Sequence, residues 1–127
     1  MKKTMTPSKE DYLEAILILI NEEGACRVTD LAEQLGFSKA SASTALHKLE
    51  EEGYIRREDW RILLSEKGRA IAEQVYEKHL FFRNWFRSIG VSEETAQKDA
   101  CGIEHILSDE TYEKIKAFFA ASDVRDN

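Results

Sequence analysis

The 127-residue chain has one proline, two cysteines and no long apolar run. A membrane-spanning helix needs about 18 or more consecutive apolar residues, and the longest apolar run here covers only residues 15–20. No apolar signal region follows the N-terminus, so we expect a cytoplasmic protein without membrane partners. In a reducing compartment we expect Cys26 and Cys101 to be two free thiols rather than a disulfide.

The sequence also lacks the usual signatures of catalysis. It has no phosphate-binding glycine loop, no nucleophile elbow and no recognisable catalytic triad. We therefore predict that the protein is not an enzyme.

Negative charge is in excess, but it is unevenly spread. The formal net charge is −6, of which residues 1–23 contribute −2 and residues 70–127 contribute −4, while residues 24–69 are neutral overall. Apolar residues make up 43% of the chain, which is enough for the core of one small domain with a helical extension. The excess of acidic residues lies in residues 1–23 and 70–127, where bound divalent cations would offset part of the negative charge.

Residues 29–64 show the pattern of a winged helix. A short helix begins near Thr29 as its N-cap, Gly36 and Phe37 form a tight turn, and Ser38 caps a second helix that runs to about Glu52. The following residues predict a two-stranded hairpin. The predicted fold class is mainly α: an N-terminal winged helix-turn-helix with a two-stranded wing, followed by a helical dimerisation domain.

The exposed face of the second helix is short and polar, which suits entry into a DNA major groove. Arginines of the hairpin and of the segment before the first helix would contact phosphates. The residues predicted to face DNA are Lys39, Ala40, Ser41, Thr44, Lys48, Arg27, Arg56, Arg57 and Arg61. An alternative is that the motif serves only for packing or for docking a protein.

A long amphipathic helix begins after Ser65 and runs to about Ile89. Its apolar stripe includes His79, and its apolar surface is broad, with Phe81 and Trp85 beside the stripe. So much aromatic surface on one helix indicates a second partner, and a two-fold dimer is the commonest solution. We place a DNA-binding domain at residues 1–70 and a metal-binding and dimerisation domain at residues 71–127.

Cys101, Glu104 and His105 form the strongest chemical motif. On a helix they lie at i, i+3 and i+4, so a thiolate, a carboxylate and an imidazole project from one face. Such a set can hold a first-row divalent metal. Because three ligands rarely suffice, we expect further ones, and the candidates are Asp11, Glu14 and His79. Ordinary structural roles are alternatives for each residue: a buried cysteine, a surface Glu–His pair, a core histidine, and acids at a helix N-terminus.

Several segments together resemble the DtxR/MntR family of metal-dependent transcriptional repressors. They are residues 8–14 (SKEDYLE), 27–32 (RVTDLA), 64–68 (LSEKG), His79, 89–91 (IGV) and 99–108 (DACGIEHILS). The resemblance covers nearly the whole chain and implies the two-domain form of the family, without an SH3-like domain. It implies metal ligation by Asp11, Glu14, His79, Cys101, Glu104 and His105, and base contacts from Ser38, Ala40, Ser41 and Thr44.

The chain combines features of two branches of that family. Asp11 and Glu14 match the manganese-responsive branch, whereas Cys101 matches the iron-responsive branch and replaces a metal-bridging glutamate. Arg83 and Gln97 stand where the iron branch has ligands of an ancillary site, so we expect none here. Mn(II) or Fe(II) is the expected cofactor, with Co(II) or Zn(II) as further options, and the number of ions per subunit stays open.

The predicted function is a metal-dependent repressor of metal-ion homeostasis. Metal held between the two domains would fix the geometry of a homodimer for binding to a double-stranded DNA operator. One alternative is a winged-helix regulator that senses an organic ligand or redox state, with metal incidental. Another is a metalloenzyme, because Cys, Glu and His can bind catalytic zinc, but this reading leaves the winged helix unexplained.

Overall fold

The computed structural model describes residues 7–126, with side chains described for residues 9–121. Within that range the chain is mainly helical, as predicted, and its one sheet is a two-stranded antiparallel hairpin. The elements follow in the order α1 (Pro7–Glu23), α2 (Val28–Leu35), α3 (Lys39–Glu51), β1 (Ile55–Glu58), β2 (Arg61–Leu64), α4 (Glu66–Ser88), α5 (Glu93–Ile106) and α6 (Asp109–Asp126).

The helix-turn-helix forms where its caps predict it. Gly36 ends α2 in the left-handed conformation, at φ 74°, which glycine adopts without steric cost. The Ser38 hydroxyl accepts a hydrogen bond from the Ser41 backbone N–H at 3.0 Å and starts α3. The predicted start of α2 at Thr29 is late, because Arg27 occupies the N-cap position without a side-chain cap.

Compact packing divides the chain into two units, Met1–Tyr76 and Glu77–Asn127. The division falls within α4, and the domain boundary predicted at residues 70 and 71 stays a prediction. The core of the first unit is largely aliphatic, with Leu13, Ile16 and Leu46 fully buried among residues of α1, α2, α3 and the hairpin.

A close backbone contact fastens the hairpin to the start of α4. The Ser65 hydroxyl donates to the Gly53 carbonyl at 2.6 Å, and the Ser65 backbone N–H donates to the Tyr54 carbonyl at 3.0 Å. A β-carbon on Gly68 would collide with that same Tyr54 carbonyl. Glycine at position 68 therefore lets α4 pass directly over the base of the wing.

The second unit has a small core built mainly from aromatic rings. Phe82 and Tyr112 are buried with Ala100, and Phe81 stacks edge-on against both rings. Hydrogen bonds from Lys116 and Tyr112 lower the pKa of Glu77, at the start of this unit. None of the described helices combines the length and apolar character that crossing a bilayer requires.

Candidate metal centre and DNA-binding surface

Helix α5 brings three of the predicted metal ligands together. Ser92 caps the helix, and the i, i+3, i+4 spacing then directs the side chains of Cys101, Glu104 and His105 to one face. One ligand atom from each lies within 4.8 Å of the others. Glu104 and His105 are buried, whereas Cys101 is exposed.

The Glu104 carboxylate is the centre of this cluster. Its Oε1 lies 3.2 Å from Nδ1 of His79, on α4, and its Oε2 lies 3.4 Å from Nε2 of His105. Oε2 is buried and makes no hydrogen bond to any described residue. A buried carboxylate that lacks full compensation is costly, so this group calls for a cation beside it.

The residues present fit a divalent transition metal. A thiol, a carboxylate and two imidazoles are the donor types such ions prefer. Two ligand atoms that each lie about 2.1 Å from one ion are about 3 Å apart when they meet at a right angle. The 3.2 Å separation between the Glu104 oxygen and the His79 nitrogen agrees with that value.

His79 is also held from its other side. Its Nε2 lies 2.6 Å from Oε1 of Gln97, and the Gln97 amide nitrogen donates to Glu93 Oε2 at 3.1 Å. Glu93 in turn pairs with Arg87 at 2.9 Å. A chain of polar contacts therefore runs from the surface to the imidazole.

Asp11 and Glu14 lie in the first unit, one turn apart on α1. Glu14 is buried, at 7% exposure, and Asp11 is partly buried. A carboxylate at that burial is unusual unless it is paired. Their role as metal ligands stays a prediction.

Cys26 is chemically different from Cys101. It is fully buried in the first core, and burial, followed by the nearby charge of Asp30, raises the pKa of its thiol to about 12. The thiolate is the form that binds metals and reacts with oxidants. Cys26 is therefore a core residue at neutral pH.

The predicted DNA-binding residues all have exposed side chains in the first unit. They comprise a polar patch on α3 together with basic side chains of the wing and of the α2 N-cap: Ser38, Lys39, Ala40, Ser41, Thr44, Lys48, Arg27, Arg56, Arg57 and Arg61. The buried side of α3 is formed by Ala42, Leu46 and Leu49. The helix thus presents short polar side chains outward.

Trp60 organises the basic side chains at the wing tip. The Arg27 guanidinium lies 4.7 Å from the Trp60 ring centroid, and that of Arg61 lies 6.0 Å away. Arg61 also pairs with Glu58 at 3.1 Å. Trp60 follows Asp59, whose φ of 56° makes the sharp turn that usually needs glycine.

Comparison with known proteins supports these observations across both units. Residues 4–61 match the N-terminal DNA-binding domain of the iron-dependent repressors, and residues 65–124 match their metal-binding and dimerisation domain. The HTH-type transcriptional regulator MntR of Geobacillus kaustophilus (strain HTA426) is 43% identical over 104 residues, which is 81% of this chain and 74% of that protein. The chain belongs to the DtxR/MntR family.

Two further members of the DtxR/MntR family extend the likeness. MntR of Bacillus pumilus (strain SAFR-032) is 39% identical over 94% of this chain and 86% of its own length. A manganese-dependent transcriptional repressor solved in complex with manganese is 25% identical, with a TM-score of 0.78 over 88% of this chain. This chain spans about half of that structure, 52% of its length.

Membership of the DtxR/MntR family confirms the predicted class of function. The chain is a metal-dependent HTH-type transcriptional regulator and not an enzyme. Family members bind Mn(II) or Fe(II) through the metal-binding domain, which agrees with the predicted cofactors.

Two residues of these surfaces, Gln97 and Trp60, received no functional role from the sequence. Gln97 was weighed only as a missing ligand, although its position one turn before Cys101 places it on the same face of α5. Trp60 lies in the predicted hairpin, where a tryptophan by itself predicts no particular contact. Its neighbours in sequence, Asp59 and Arg61, gave no signal that Arg27 would lie over its ring.

Proposed function

We propose that this protein is a repressor that binds an operator as a homodimer in the cytoplasm when Mn(II) or Fe(II) occupies the cluster around Glu104. The buried Glu104 carboxylate, flanked by two imidazole nitrogens at 3.2 and 3.4 Å, is the observation that supports this most directly. A regulator of this family with such a centre would control genes of metal-ion homeostasis.

Six residues would hold the ion. His79, Cys101, Glu104 and His105 come from the second unit, and Asp11 and Glu14 come from α1 of the first. The ion would supply positive charge and directional coordination among these groups. Ligation by both sets would couple α1 to the C-terminal helices, and loss of it would leave the acids to repel one another.

In a two-fold dimer this coupling would set the separation of the two α3 helices. The recognition helices of such dimers must lie about 34 Å apart, one turn of B-DNA. Ser38, Ala40, Ser41 and Thr44 would then face base edges. Basic side chains would contact phosphates and fix the register: Arg27, Lys39, Lys48, Arg56, Arg57 and Arg61.

Cys101 bears on which ion the protein prefers. A thiolate is a softer ligand than a carboxylate, so it shifts preference from manganese toward iron, cobalt or zinc. The carboxylates of Asp11, Glu14 and Glu104 act in the opposite direction. We propose that Mn(II) and Fe(II) are the effective ions, with Co(II) and Zn(II) able to replace them.

The test is an anaerobic titration of operator binding with each of these four metals, with bound metal counted in parallel. Glu104→Gln should abolish the metal response, because it removes the central charge while preserving side-chain volume. Glu94→Gln is the matched control, since Glu94 is an exposed acid on the same helix. Full operator binding by the wild type after exhaustive chelation would contradict the proposal and favour sensing of an organic ligand or of redox state.

A further inference from the structure

The orientation of the Gln97 side chain is fixed by its neighbours. Glu93 carries only acceptor atoms when ionised, so the Gln97 amide nitrogen must face it, as the 3.1 Å contact shows. The amide oxygen then points the other way, to His79 Nε2 at 2.6 Å. Arg87 at 2.9 Å and Arg83 at 3.7 Å hold the Glu93 carboxylate in place.

An amide oxygen can only accept a hydrogen bond, so Nε2 of His79 must carry the proton that is shared with Gln97. In the neutral ring the lone pair then resides on Nδ1. Nδ1 faces Glu104 Oε1 at 3.2 Å. Gln97 therefore favours a proton on Nε2, while the Glu104 carboxylate favours a cation at Nδ1, either a proton or a metal ion. The hydrogen bond at one ring nitrogen therefore decides what the other nitrogen can bind.

We infer that Gln97 is a positioning residue that fixes the Nε2–H tautomer of His79 and so makes Nδ1 the metal-ligating atom. The metal part of this inference rests on the function proposed above, whereas the proton on Nε2 can be observed in the metal-free protein. Partners that orient a ligating histidine typically contribute about 10–100-fold to metal affinity. Glu93 and Arg87 extend the same support outward to the surface.

The tautomer can be measured without any metal. Long-range ¹H–¹⁵N NMR of the metal-free protein, well above the usual histidine pKa of about 6.5, distinguishes a protonated ring nitrogen from one with a lone pair. Wild-type His79 should show a protonated Nε2. Gln97→Leu leaves only the Glu104 carboxylate to attract the ring proton, so Nε2 should lose its proton and Nδ1 should carry it.

Metal affinity is the second readout, followed through the EPR signal of free Mn(II). Gln97→Leu should weaken Mn(II) binding about 10–100-fold. Gln74→Leu is the matched control, because Gln74 is an exposed glutamine on α4, and it should bind Mn(II) as the wild type does. Circular dichroism and thermal melting of each metal-free variant would show that the fold is intact.

Three outcomes would overturn the inference: a bare Nε2 in the wild type, an unchanged His79 spectrum in Gln97→Leu, or a changed spectrum with unchanged Mn(II) affinity. A wild-type protein that binds no Mn(II) and no Fe(II) would instead contradict the proposed function. The NMR comparison, which needs no metal, would still decide whether Gln97 sets the tautomer.

Discussion

The two units differ in how much apolar surface they bury and in which side chains form their cores. The first has an aliphatic core in which Leu13, Ile16 and Leu46 are completely buried. The second buries few residues fully and leaves large apolar side chains in the open, with Ile106 at 79% and Phe118 at 66% exposure. The first unit also exposes Phe37 and Trp60, but the second combines its exposed apolar side chains with a smaller core, and it presents apolar surface of the kind that a dimer covers.

Buried charge follows the same division. In the second unit Lys78, Glu104 and His105 are buried, and in the first unit Glu14 is the buried charged residue among those described. Small aromatic cores with buried charges gain less from apolar burial and depend more on bound partners. From this comparison we expect the first unit to depend less on bound partners for its stability than the second.

The largest expected effect comes from Phe82→Ala. Removing a fully buried phenylalanine typically lowers the free energy of unfolding by about 3–5 kcal/mol, and the loss should be confined to the second unit. Urea unfolding of the metal-free protein would measure this, in single-tryptophan variants that keep either Trp60 in the first unit or Trp85 in the second. Equal shifts of the unfolding midpoint at both tryptophans would show that the units unfold together. Leu46→Ala is the matched variant in the first unit, and it should shift the midpoint at Trp60 but not at Trp85.

Removal of metal should have the next largest effect. Coupling between two sites is typically about 1–3 kcal/mol, or 5–150-fold in affinity, so chelation should weaken operator binding within that range. By reciprocity, operator DNA should tighten Mn(II) binding by the same factor. Titrating metal with and without DNA would check this, and an operator affinity that does not change on chelation would contradict the prediction.

Cys101→Glu should change the ranking of metals more than the strength of repression. A carboxylate is a harder ligand than a thiolate, so the variant should favour manganese relative to iron, cobalt and zinc. Cys101→Ser is the matched variant, because it removes the thiolate without adding a carboxylate. Metal rankings that are identical in all three proteins would show that Cys101 does not select the ion.

The smallest expected effect belongs to the wing. Cation–π contacts at exposed sites are typically worth about 0.5–1 kcal/mol, so Trp60→Ala should weaken operator binding about 2–5-fold by releasing Arg27 and Arg61. Trp60→Phe keeps a ring and should recover most of the affinity. Fluorescence anisotropy with labelled operator DNA would measure this, and unchanged metal binding is the internal control. A loss of metal response in Trp60→Ala would show that the wing also affects the metal centre.

Local signals in the sequence were enough for most of the fold. Ser38 and Gly36 marked the turn of the helix-turn-helix because caps act within one turn of the chain. Cys101, Glu104 and His105 could be placed on one face for the same reason. The start of α2 was misplaced because threonine is a favoured N-cap residue, whereas the N-cap position is occupied by Arg27, whose side chain makes no capping hydrogen bond.

Contacts between distant residues were beyond the reach of spacing rules. The hydrogen bond from His79 to Gln97 joins two helices and depends on how α4 packs against α5. The stack of Arg27 on Trp60 likewise depends on the backbone bond between Ile62 and Cys26, which brings the wing beside the start of α2. Such pairings arise from tertiary packing, which one sequence does not reveal.

Gly68 has a consequence for how this regulator can fail. Any larger residue there would push the hairpin off the helix that it rests on, because the Tyr54 carbonyl occupies the space of a β-carbon. His79, Cys101, Glu104 and His105 belong to the other unit and would stay together. A substitution at position 68 is therefore expected to distort the DNA-binding unit while these four side chains of the metal centre keep their arrangement.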